Sequence, residues 1–271
     1  MFSKLMKQEF KAMRRIVPFV YLVTVIMILT SLLTRQLEIE WLSTFLLVML
    51  VLFGLAEILV TYVLVFYRYY KNLYNSEGYL MHTLPVRPSQ LLTSKIVSSF
   101  IWLLISYTIM VGVVLTIALL VSGDQGLSIG QILDQVMIGA GLTRSAVNGL
   151  IVAIFLYLCL SILLLLAQVF FAISLGNHAR FHSMGLAAPI LFYIGIYFIT
   201  EIGILAGMVL VPLGITVENQ SLRLVPRSML TTLLNPNEFV FGLGSILFII
   251  LAVIALFLGT SRLLNRHTSL R

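Results

Sequence analysis

Two carboxylates stand where the rest of the sequence least suits them. Glu57 and Glu201 each fall within a long apolar run, and an ionisable group inside a membrane-length apolar segment is costly. Gly54 lies three residues before Glu57 and Thr61 four after it. Those spacings put all three on one helix face, so a narrow polar stripe is directed at other helices or at a cavity. Tyr197 precedes Glu201 by one helical turn on the same face. Two readings stand. Glu57, Thr61, Tyr197 and Glu201 line a substrate pathway or gate, or the two carboxyls are protonated or hydrogen-bonded groups that serve packing. Nothing in their spacing brings the two together.

Other reactive side chains form no familiar constellation. His178 and His182 are spaced i, i+4, as two ligands of a metal would be on a helix. No cysteine or acid nearby completes a set, and Gly176-Asn177 signals a turn, so they are expected to be interfacial and no metal site is expected. Cys159 is the single cysteine, which excludes an intramolecular disulfide. No glycine-rich stretch ends in Gly-Lys-Ser or Gly-Lys-Thr, and no Lys follows Lys95, so the sequence has no P-loop to cradle nucleotide phosphates. His-Glu-x-x-His and Gly-x-Ser-x-Gly are also absent. The chain is therefore not expected to be an enzyme. Energised work would draw on a partner or an ion gradient.

The elements that hold these residues follow from composition. Of 271 residues, 60% are apolar and 10% charged, against about 25% charged in a soluble domain. Such a chain needs lipid as solvent for much of its surface. Six segments approach or exceed the ~20 apolar residues a crossing needs: Val17–Leu33, Leu42–Phe66, Ile96–Val121, Val147–Leu175, Met184–Leu213 and Phe239–Gly259. The first follows a basic segment and lacks a small-residue cleavage site, so it is expected to be a retained span. Strand-like alternation is missing, which argues against an outer-membrane barrel. The expected fold is an all-α integral membrane protein of six spans in a single transmembrane domain.

Orientation comes from the cations. With the N-terminus in the cytoplasm, thirteen of the seventeen Lys and Arg fall in inner segments, and only Arg35, Arg144, Arg223 and Arg227 fall outside. That asymmetry fits the positive-inside rule and puts both termini in the cytoplasm. It also accounts for the net charge of +7 without nucleic acid. In residues 1–15, Phe2, Leu5, Met6, Phe10 and Met13 recur near helical spacing, with Lys4, Lys7, Lys11 and Arg14 around them. This predicts an amphipathic helix lying on anionic lipid headgroups.

The largest inner connection is Tyr67–Lys95. Its tyrosines suit the interfacial aromatic belt, Gly78 permits a sharp turn, Pro85 and Pro88 interrupt helix, and Ser89 is a candidate cap for the next span. Tyr79, Leu80, Met81 and Leu84 are apolar residues beyond the membrane that a cytoplasmic protein partner would bury. The last outer connection, 214–238, contains the turn signal Asn235-Pro236-Asn237. Its segment Ser228–Leu234 either dips into the outer leaflet as a re-entrant piece or forms an ordinary surface loop.

The run Glu77-Gly-Tyr-Leu-Met-His-Thr-Leu-Pro-Val-Arg-Pro-Ser-Gln-Leu-Leu-Thr-Ser-Lys95 resembles the segment joining the second and third spans of ABC-2 transporter permeases. The likeness is nearest to permeases of bacterial exporters that handle bacteriocins, lantibiotics and phenol-soluble modulins. Thr83, Leu84, Pro85, Val86, Arg87 and Lys95 match that pattern, and the six spans and N-terminal interfacial helix agree with it. The resemblance implies a type V exporter-like architecture and two permease copies, most simply a homodimer. It also implies two separate ATPase chains that bind the ATP and Mg, leaving this chain without a cofactor. Glu77, Gly78, Tyr79, Leu80, Thr83, Leu84, Pro85 and Arg87 would then form the coupling helix, and 214–238 the extracellular gate. The setting implied is a bacterial cytoplasmic membrane, and the cargo an amphipathic or antimicrobial peptide or a similar hydrophobic molecule. The rival expectation is a secondary transporter in which Glu57 and Glu201 carry an ion down its gradient.

Overall fold

A computed structural model describes residues 2–34, 39–74, 88–121, 130–131, 134, 139, 143–178, 181, 184–185, 187–218, 221–234 and 240–266. The chain divides into two compact units, Met1–Tyr69 with Gln90–Val136, and Tyr70–Ser89 with Met137–Arg271. Among the described residues, six helices are long and apolar enough to cross a membrane, and the protein is a multi-pass, predominantly helical membrane protein.

The first unit is built on α1 (Phe2–Met13), α2 (Val17–Thr34), α3 (Glu40–Tyr74) as far as Tyr69, and α4 (Pro88–Val121) from Gln90 on. A tight turn closed by Ile16 N–H on the Met13 carbonyl, 3.2 Å, separates α1 from α2. Prolines sit at the starts of helices: Pro18 is the second residue of α2 and Pro88 the first of α4. A first-turn residue has no intrahelical acceptor for its N–H, so proline is tolerated there. The residue pattern points to connection across Tyr67–Lys95, with Pro88 an interruption. In the structure α3 runs on to Tyr74, with Tyr69, Leu73 and Tyr74 buried, and α4 begins before Lys95.

The second unit packs α5 (Arg144–Gly176), α6 (Ala187–Leu210) and α8 (Gly244–Arg266) against one another. Leu164, Ile204 and Ile249 form the centre, flanked by Tyr157, Leu160, Met208 and Phe248. Asn177 closes α5, its side-chain amide donating to the Ile173 carbonyl at 2.8 Å. Gly185 follows with φ +59°, a left-handed conformation open to a residue without Cβ. Helix therefore starts at Ala187 and not at Met184.

Between α6 and α8 lies a small antiparallel sheet in the order β2-β1-β3, made of β1 (Gly214–Glu218), β2 (Ser221–Val225) and β3 (Val240–Gly242). In register, Gly214 pairs with Val225 and Glu218 with Ser221, while Gly214 also faces Gly242. A short helix, α7 (Met229–Leu234), joins β2 to β3, and the Val240 N–H donates to the Thr232 hydroxyl at 2.8 Å. Strands this short cannot cross a bilayer, for which about nine to eleven residues are needed. Pairing of 240–242 with β1 is also why the last long helix begins at Gly244, later than hydropathy suggests.

In lipid, apolar burial between helices gives little driving force because acyl chains are as apolar as leucine, so close fit carries more of the association. The α6–α8 crossing shows that fit. Gly203 lies under the Phe248 ring, and a Cβ on Gly207 would sit 2.8 Å from the Gly244 carbonyl oxygen. We expect Gly207→Leu to force the crossing open, at a cost of about 2–3 kcal/mol from overpacking. Gly195→Leu on the same helix, where a Cβ meets nothing within 4 Å, should leave the unfolding temperature in detergent unchanged. Equal melting of the two variants would contradict this packing.

Candidate functional site

The first unit contains a buried charge cluster and, on the same helices, a polar track. Leu5, Glu9 and Met13 recur every four residues and are the buried positions of α1, so the helix turns a carboxylate inward in the middle of its apolar face. Glu9 is only 5% exposed and Lys95, in the second turn of α4, only 2%. The Lys95 ammonium donates to Glu9 Oε1 at 2.8 Å, and Arg68 Nε of α3 donates to Glu9 Oε2 at 2.9 Å. One carboxylate thus ties α1 to α3 and α4 at once. Phe10 reinforces the attachment, its ring centroid 6.0 Å from that of Trp102. The α1 expected to lie on lipid headgroups is therefore anchored to the protein through its buried face.

Burial alone would raise the Glu9 carboxyl. The charges and hydrogen bonds of Lys95 and then Arg68 outweigh it and hold the group below the ordinary carboxyl range. Sequence reasoning missed this cluster because Glu9 stands among five cations within residues 1–15 and reads as a surface charge. The available signal was the i, i+4 spacing of Leu5, Glu9 and Met13, together with the isolation of Lys95 at the head of a span.

Farther along α3 lies the stripe of Gly54, Glu57 and Thr61, and it faces α4. A Cβ on Gly54 would meet Met110 and Val113 at 3.2 Å, and the Ser106 hydroxyl donates to Thr61 Oγ1 at 3.0 Å. Thr61 in turn donates to the Glu57 backbone carbonyl at 3.0 Å. Tyr21 of α2 joins this track: its hydroxyl donates to the Trp102 carbonyl at 2.7 Å and lies 3.0 Å from Ser106 Oγ. Nearby, the Tyr62 and Tyr107 hydroxyls meet at 2.9 Å. Glu57 is fully buried, and neither of its carboxyl oxygens has a hydrogen-bond partner among the described residues. The Trp102 indole N–H is likewise unpartnered.

The second unit holds Tyr197 and Glu201 on α6. Tyr197 is 42% exposed, with ring contacts to Tyr193 and Phe198, and Glu201 is partly exposed. Beside Glu201, Thr200 accepts a hydrogen bond from the buried Gln168 amide of α5, a polar link that spacing along the chain does not disclose. Glu57 and Thr61 belong to the first unit, Tyr197 and Glu201 to the second. Glu77, Gly78, Tyr79, Leu80, Thr83, Leu84, Pro85 and Arg87 lie outside the described residues, as does His182. Among the described residues no three His, Cys, Asp or Glu side chains gather for a metal. Set against models of protein families, against curated proteins and against solved structures, the chain matches none.

A folded carboxyl value below the unfolded one means that the ion pair stabilises fully above the unfolded range. That contribution is lost as pH falls through the lowered folded value. Glu9→Gln removes the buried carboxylate that Lys95 and Arg68 share and should cost about 3 kcal/mol at neutral pH. It should also show a smaller acid-side loss of unfolding temperature than the parent. The triple change Glu9→Leu, Arg68→Leu, Lys95→Met should recover most of the loss, because removing every member of a buried ion cluster is far milder than removing one. Thermal unfolding of the three proteins between neutral and acidic pH decides it. A triple variant no more stable than Glu9→Gln would refute the ion-pair account.

Proposed function

We propose that this chain is the membrane subunit of an ATP-driven exporter of the ABC-2 type, working in a bacterial cytoplasmic membrane. Its cargo is an amphipathic or antimicrobial peptide or a similar hydrophobic molecule. The observation that carries the reading is the run Thr83-Leu84-Pro85-Val86-Arg87 followed by Lys95, in the style of the connection that receives an ATPase in such permeases. The surroundings of that run support it. Lys95, just beyond it on α4, and Arg68, before it on α3, are both bonded to Glu9. The run is thus bracketed in the sequence by two cations that share one carboxylate. The chain has no P-loop, so the nucleotide belongs to a partner, and the assembly pairs two copies of this chain with two ATPases.

The work in such a cycle is a shift between conformations, and only a difference in affinity of partner or cargo for those conformations can drive it. ATP-driven closure of the ATPases would move residues 75–87, and α3 and α4 would follow with α1 attached. The rival reading, an ion-gradient transporter, draws on Glu57, whose buried carboxyl has no hydrogen-bond partner among the described residues, and on Glu201. Energetics separate the two.

Pro85→Arg together with Leu84→Asp should abolish co-purification of the ATPase while membrane insertion and the unfolding temperature stay normal. Vesicles holding the chain and its ATPase should move a labelled amphipathic cationic peptide with ATP, and not with a proton or sodium gradient alone. Undiminished ATPase capture by the double variant would sink the docking assignment. Transport by the chain alone under an ion gradient would replace the reading with its rival.

A further inference from the structure

Of every polar side chain described in the first unit, Glu57 is the one whose chemistry is most plainly incomplete. It is 0% exposed, it carries two acceptor oxygens, and neither has a hydrogen-bond partner within 3.5 Å among the described residues. Buried polar side chains nearly always find a partner, so an orphan calls for a missing ligand or a functional role. The Ser106 hydroxyl lies beside the carboxyl and 3.0 Å from Thr61 Oγ1. Thr61 donates to the Glu57 backbone carbonyl, and Tyr21 to the Trp102 carbonyl. Thr61 and Tyr21 thus have backbone carbonyls as acceptors, and the carboxyl stands among hydroxyl oxygens. Arg68, a cation of the same helix, stands eleven residues on, roughly 16 Å along the axis, and is bonded to Glu9.

We propose that Glu57, with the hydroxyl oxygens of Thr61, Ser106 and Tyr21, forms a buried site for one small monovalent cation. The occupant is either a free alkali ion or the primary ammonium group of a cargo molecule. Oxygen acceptors around a single carboxylate repel an anion and balance one positive charge. A divalent ion such as calcium takes six to eight oxygens, typically from several carboxylates, and no such group gathers among the described residues. The free-ion form is independent of the exporter reading, and only the ammonium form rests on it.

The experiment uses the full chain in detergent, held in choline chloride and titrated at constant ionic strength with sodium, potassium or methylammonium chloride. A ligand that binds only the folded state raises the unfolding temperature by mass action. The parent should be stabilised saturably by at least one of these cations, and Glu57→Gln by none. Thr61→Val and Ser106→Ala, which keep the carboxylate, should each raise the half-saturating concentration roughly tenfold. These two also carry the test if Glu57→Gln fails to fold. Stabilisation by sodium or potassium identifies a free-ion site, and stabilisation by methylammonium alone identifies an ammonium site. A parent that responds to no cation overturns the proposal and leaves Glu57 a packing group. The proposal falls equally if Glu57→Gln responds as the parent does, or if both hydroxyl variants titrate unchanged. None of these outcomes bears on ATPase capture, so failure here is distinct from failure of the exporter reading.

Discussion

A charge withdrawn from water must find its counter-charge within hydrogen-bonding distance, and in the first unit that requirement falls on Glu9. Taking an ammonium, a guanidinium and a carboxylate out of water costs several kcal/mol for each ion, which mutual attraction offsets only when the geometry is close. Contacts of 2.8 and 2.9 Å supply that closeness. The result is a constraint as much as a stabilisation. The helix α1 cannot leave without taking the Glu9 carboxylate from Lys95, and α3 and α4 cannot part at that end without one of them giving up that carboxylate. One acceptor thus joins the three helices at this end.

The two units solve the problem of association in lipid by different chemistry. Along α2, α3 and α4 the contacts are hydroxyl to hydroxyl and hydroxyl to carbonyl, each worth about 1 kcal/mol between membrane helices. In the second unit the helices close on glycine, with Gly203 and Gly207 of α6 against Phe248 and Gly244 of α8. Backbone proximity there replaces side-chain bonding, and dispersion contacts do the holding. A track of rotatable hydroxyls exchanges partners at small cost. A glycine crossing is much less forgiving, since any added atom meets backbone.

How much of this the sequence discloses depends on which physical signal each feature leaves. Apolar runs of membrane length leave a strong one, and the six long helices are legible from it. Their ends are less so, because helix continues wherever side chains find cover, as Tyr69, Leu73 and Tyr74 do beyond Phe66. Hydropathy also cannot separate a strand from the start of a span, so Val240–Gly242 reads as helix. The strands β1 and β2 are five residues each, too short for alternation to stand out. The polar stripe of Gly54, Glu57 and Thr61 is legible because helical spacing is local. Ser106 and Tyr21, which complete it, are not, because their contacts join residues 45 and 85 positions apart. The Gly203 and Gly207 pair is visible in the sequence, while its partners on α8 are not.

Glu9 and Glu57 make an instructive contrast, for they are the same residue type in the same unit under opposite conditions. Glu9 has both oxygens engaged by cations, and its position is explained by the attachment it provides. Among the described residues Glu57 has neither oxygen engaged, and packing alone does not explain it, since glutamine or leucine would fill the same space without an ionisable group. A local rule broken without evident compensation marks a functional or strained position more often than an accident. The neighbouring hydroxyls sharpen the point. The hydroxyls of Thr61, Ser106 and Tyr21 stand in one track beside Glu57, and the Tyr21 proton is donated to the Trp102 carbonyl. The arrangement leaves a buried carboxyl among hydroxyl oxygens, the setting in which we place a partner that brings the positive charge with it.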